Sequence, residues 1–188
     1  MTMLIAGVLL WSGLHLIPVI GRGPRQSAIN TLGEGGYKGI YSLLMLGAIA
    51  LMVFGWRGSL PQSIYIPSQE MRLAGLVLVV IGFLFMAAAN RPSRFGRLVR
   101  HPQLFGVLLW AVAHLLANGD SRSLALFGGL GAWCIIMMPL INRRDGAWTK
   151  PEAPSWVREI VGIVIALVAV AVVAAIHPWI AGMPAVAW

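Results

Sequence analysis

Six long, mostly apolar stretches, joined by short connectors that hold most of the charge, leave this chain very few folds. A helix that crosses a bilayer needs about 20 consecutive, mainly apolar residues. The windows Met3–Ile20, Gly39–Trp56, Met71–Ala89, Gln103–Ala117, Leu124–Ile141 and Glu159–Ile180 meet or approach that length. The fourth is short and reaches a full span only if its helix starts near Arg100. In hydrocarbon every backbone N–H and C=O must be paired inside the protein, so such windows become helices. Composition agrees: 59% of the residues are hydrophobic and 11% charged, against roughly 45–50% and 25% in soluble domains. The expected fold is all-α, a polytopic membrane helix bundle of about six transmembrane helices, forming a single domain over residues 1–188.

The net charge of +8 would suggest nucleic acid in a soluble protein. Here the basic residues sit in connectors, where they set orientation and meet anionic head groups. Nucleic acid is therefore excluded as a partner, and the lipid bilayer is the expected one. Arg22, Arg25 and Lys38 mark the first connector, Arg91, Arg94, Arg97 and Arg100 the third, and Arg143, Arg144, Lys150 and Arg158 the fifth. The second and fourth are nearly balanced, Arg57 by Glu70 and Arg122 by Asp120. The positive-inside rule places connectors one, three and five in the cytoplasm and both termini outside. The first window lacks a basic leader and a small-residue cleavage site, so it reads as a retained helix. Cys134, the single cysteine, reads as a small packing residue. Glycines in Phe127-Gly128-Gly129-Leu130-Gly131, with Gly75 and Gly82, suit close helix packing or a flat cofactor.

Ionisable residues inside spans are the functional candidates. His15 lies in the first helix and His114 in the fourth; His101 opens the fourth, and His177 stands near the end of the sixth. Imidazole is a common metal and haem ligand. Trp11 and Trp110 precede His15 and His114 by one turn, on the same face, where they suit a flat apolar pocket. The alternative is that each histidine bonds a neighbouring helix. Depth separates the pair: at 1.5 Å per residue, His114 lies about 20 Å beyond His101, whereas His15 lies about 8 Å from the inner end. His15 thus matches His101 better than His114. The four arginines of the third connector suit anionic lipid or the propionates of a cofactor.

Several strings together resemble the NnrU family of membrane proteins. They are His15-Leu16-Ile17-Pro18, Gly36-Tyr37-Lys38-Gly39 with Tyr41-Ser42, Arg100-His101-Pro102-Gln103 with Gly106, and Trp110-Ala111 through His114 to Asp120. The resemblance implies a multi-pass protein of the bacterial inner (cytoplasmic) membrane, linked to nitrite and nitric oxide metabolism in denitrification. The family is similar to the plant zeta-carotene isomerase, a haem b membrane enzyme with two axial histidines. Carried over by motif, these ligands are His15 and His114, with His101 in reserve. Ala111 stands where that enzyme has a cysteine, and Trp56 where it has a further histidine.

The resemblance thus implies haem b held by His15 and His114, with Trp11, Trp110, Arg100 and His101 around it. Any activity would be a haem-dependent isomerisation or redox step on an apolar small molecule. Arg100-His101-Pro102 also resembles a motif of isoprenylcysteine and phospholipid methyltransferases, which implies S-adenosylmethionine as an alternative cofactor. The chain has Arg143, Arg144 and Asp145 but lacks the paired glutamates of those enzymes. A third reading is a non-catalytic assembly factor for a nitric oxide reductase, with a membrane partner protein or a second copy of itself.

Overall fold

The computed structural model describes residues 1–20 and 22–185, with the backbone alone for Arg22. It is helical, as expected. The helices are α1 (Thr2–Ile20), α2 (Arg22–Gly58), α3 (Gln69–Ala88), α4 (Pro102–Ala117), α5 (Ser121–Asp145) and α6 (Trp156–Ala181). All but α4 are long and apolar enough to cross a membrane. No strand occurs among the described residues; an isolated bridge pairs Ser63 with Asp120.

One expectation needs correction. The first connector is helical: α2 starts at Arg22 rather than Gly39, and it is broken at Gly33 (φ 71°, ψ 163°). A side chain is strained at that φ, so glycine permits the break. Several residues before it, including Gln26, Ser27 and Asn30, are polar and exposed. The fourth helix, Pro102–Ala117, falls within a residue of the expected Gln103–Ala117 and does not reach back to Arg100. Pro102 lacks the N–H that a first helical turn leaves unpaired, and so fixes the start there. The resulting 16 residues span about 24 Å, short of the hydrocarbon thickness. This short helix packs against both α3 and α5.

Across the bundle, α2 packs on α1, α1 on α5, α5 on α4, α4 on α3, and α3 on α6. The tightest seam joins α3 and α4. A Cβ at Gly75 would come within 2.8 Å of the Ala113 carbonyl oxygen, and one at Gly82 within 2.8 Å of the Gly106 carbonyl oxygen. Small residues bring these backbones together where lipid supplies no hydrophobic drive. A core of Leu104, Trp133, fully buried Cys134 and Met137 fills the space between α1, α4 and α5. Gly129 meets the Val8 side chain across the α1–α5 seam.

The bundle ends are tied as an even number of spans requires. At one end the Met1 ammonium donates to Ser59 Oγ (2.5 Å), Arg57 donates to the Trp179 carbonyl (3.1 Å), and Ser63 pairs with Asp120. At the other, arginine-rich end, Arg91 donates to the Arg158 carbonyl (3.1 Å) and Arg94 to the Pro154 carbonyl (3.2 Å). Glu159, 2% exposed, anchors this end: its carboxylate accepts from the Ser93 hydroxyl (2.9 Å) and the Arg94 amide (2.8 Å).

Candidate functional site

A cavity of about 510 Å³ opens among α2, α3, α4, α5 and α6. Its walls are almost wholly apolar, built from residues such as Met52, Val79, Phe83 and Val173. Trp56, Trp110 and Phe127 add an aromatic wall, and His114 and His177 are its imidazoles. It adjoins a second cavity of about 620 Å³, which shares both histidines and Asn118 and adds Gln69 and Arg72. One pocket thus runs from an apolar interior to a polar mouth.

Local sequence explains how His114 is held. Its Nδ1 lies 2.8 Å from the Trp110 carbonyl oxygen, one turn earlier. A carbonyl only accepts, so Nδ1 carries the proton, and in the neutral ring Nε2 keeps its lone pair. The ring stacks on Phe127 (centroids 4.3 Å, planes 26° apart) and tilts against Trp110 (4.6 Å). Phe127 also meets Trp110 (5.0 Å) and Trp56 (6.0 Å) edge to face. Phe127 lies in a π-helical turn, Leu124–Gly128, inside α5. Such turns add a residue to the helix and often lie at functional sites.

His177 reaches the cavity from α6, its ring centroid 6.4 Å from that of His114. Gly182 takes a left-handed conformation (φ 79°, ψ 7°) just after the helix. That turn brings the Met183 carbonyl oxygen to 2.7 Å from His177 Nδ1, fixing the same tautomer as in His114. The sequence showed His177 as a histidine near a helix end and gave no sign that it would meet His114.

The other expected residues lie elsewhere. His15 sits between Trp11 (4.5 Å) and Trp133 (4.9 Å), its Nδ1 2.9 Å from the Trp11 carbonyl oxygen. It does not line the cavity that holds His114. Among the described residues, the buried indole N–H groups of Trp11 and Trp133 have no partner. His101 Nε2 lies 2.8 Å from Asn142 Oδ1, and Arg100 donates to the Gly146 carbonyl (2.6 Å). These two bonds join the start of α4 to the end of α5. Arg91, Arg94, Arg97 and Arg100 do not line the cavity either; the arginine at its mouth is Arg72. Ala111 is fully buried, and Trp56 stands in the cavity wall.

The connector between α2 and α3 is tied to the end of α4. Tyr65 donates from its hydroxyl to the Leu115 carbonyl, and the Ile64 and Tyr65 amides donate to the Gly119 carbonyl (2.7 and 3.1 Å). Asp120 caps α5, accepting from the Arg122 and Ser123 amides (2.9 and 3.1 Å) and the Ser123 hydroxyl (2.8 Å). Burial pushes its carboxyl up, but these bonds and the Arg122 guanidinium outweigh that and hold it below the ordinary value.

Among the described residues, no group of three or more His, Cys, Asp or Glu side chains is placed to hold a metal ion. Two neutral imidazoles in an apolar cavity are a poor site for a bare dication, which needs more ligands and compensating charge. They suit a group that brings its own equatorial ligands.

These features define a polytopic helical membrane protein with a histidine-bearing cavity between its spans. A sequence profile described as NnrU protein matches residues 3–185. The chain belongs to the NnrU family. Comparison with curated proteins and with solved structures returns no match.

Proposed function

We propose that this protein binds haem b in the cavity among α2 to α6, with His114 as an axial ligand. The observation that carries the reading is His114 itself: an imidazole on an apolar wall, its tautomer fixed so that Nε2 keeps its lone pair. Trp56, Trp110 and Phe127 supply the flat aromatic surroundings that a macrocycle packs against. Arg72, Gln69 and Asn118 supply a polar mouth suited to propionates. When bound, haem would supply an iron centre able to take a substrate or nitric oxide. The protein's part is to hold the ligand, orient it and keep the site dry.

The apolar walls suit a substrate that arrives from lipid, in line with the isomerase likeness, and an iron that takes nitric oxide accords with the denitrification link. We place the protein in the bacterial inner membrane, with the arginine-rich end in the cytoplasm and both termini in the periplasm, as the positive-inside rule requires. The test is the haem content of His114→Ala purified beside the parent. Loss of most of the haem supports the assignment; parental haem content at equal folding overturns it.

A further inference from the structure

We infer that His177 is the second axial ligand of this haem, paired with His114 across the cavity. The inference rests on the haem reading above and adds a residue that neither the motifs nor the family profile assigns. The resemblance points to His15 as the partner, but His15 is packed between two indoles outside the cavity.

Four observations meet at His177. Its ring centroid is 6.4 Å from that of His114, with the planes 26° apart. Two metal–nitrogen bonds of about 2 Å each, plus the reach from each nitrogen to its ring centre, span roughly 6 Å. The centroid separation of the pair is close to that span. Both rings line the apolar cavity and its polar mouth. They come from α4 and α6, two helices that each pack on α3.

The third observation is the tautomer. Each Nδ1 faces a backbone carbonyl, at 2.8 Å in His114 and 2.7 Å in His177. A carbonyl acceptor on one ring nitrogen fixes the ring and makes the other nitrogen a better ligand. For His177 this support depends on the left-handed turn at Gly182, which folds Met183 back over the ring. The fourth is the donor set. The cavity lining includes no carboxylate or thiolate. A porphyrin brings four equatorial nitrogens and two negative charges and leaves two axial positions, the number of imidazoles present.

The test is the spin state of the full-length protein, loaded with haem b in detergent and read by absorption and electron paramagnetic resonance. The parent should be ferric low-spin, and His15→Ala should stay low-spin. His177→Ala should turn high-spin while keeping haem through His114, and added free imidazole should restore the low-spin spectrum. If the alanine variant is not recovered folded, His177→Gln gives the same readout. A low-spin His177 variant, or a switch to high spin in His15→Ala alone, overturns the pairing and leaves the haem reading standing. A parent that takes up no haem overturns both.

Discussion

His114 stacks on Phe127, with ring centroids 4.3 Å apart and planes 26° apart, where a π-helical turn interrupts α5. The contact joins the histidine with the clearest ligand geometry to the most irregular stretch of a membrane helix. An aromatic pair of this kind contributes about 0.5–1.5 kcal/mol beyond its buried area. Phe127→Ala is therefore expected to weaken haem retention by roughly threefold to tenfold, measured by competition with a haem-accepting protein. Unchanged retention would show that the stack does not position the ligand.

The α3–α4 seam is expected to tolerate no side chain at Gly82. A Cβ there would stand 2.8 Å from the Gly106 carbonyl oxygen, which is rigid backbone. Gly82→Val should lower stability by about 1–3 kcal/mol, as overpacking does. Thermal unfolding in detergent would show it, with Gly47→Ala as the control, since a Cβ at Gly47 meets nothing within 4 Å.

Asp120 predicts a pH dependence. Its folded carboxyl titrates below the ordinary value, so its contribution is present above that value, about 3.9, and is lost as the pH falls through the depressed one. Asp120→Asn keeps an amide oxygen that can cap α5 but loses the charge beside the Arg122 guanidinium, and should be less stable than the parent by up to about 1 kcal/mol at neutral pH. The gap should close below about pH 4. A gap that stays constant to pH 3 would rule out the carboxylate as its source.

Glu159 is 2% exposed and accepts from Ser93 and the Arg94 amide. Glu159→Ala leaves the buried Ser93 hydroxyl and the half-buried Arg94 amide without this acceptor, at about 1–3 kcal/mol for the fully buried group. It should unfasten the 89–101 segment from α6, seen as faster proteolysis near Arg94. Glu159→Gln, which keeps an acceptor, should be milder.

The spans were legible in the sequence because lipid allows little but helices across an apolar stretch of that length. Gly75 and Gly82 were legible as packing positions for the same reason. The helical start of α2 was not, because the stretch from Arg22 to Leu32 is polar enough to read as a loop. His114 stood out as an imidazole within a span and lines the cavity. Its meeting with His177 was hidden, since it depends on α4 and α6 both packing on α3 and on the turn at Gly182. The π-helical turn left only a cluster of glycines as its trace. Glu159 read as the edge of a span, and its burial comes from the chain fold at Ser93 and Arg94.

The most direct measurement is the absorption spectrum of the detergent-purified protein, oxidised and then dithionite-reduced, with a pyridine haemochrome assay for stoichiometry. A Soret band that shifts on reduction, with resolved α and β bands and close to one haem per chain, is the expected result. A protein that remains colourless after expression with a haem precursor and after incubation with haem would contradict it.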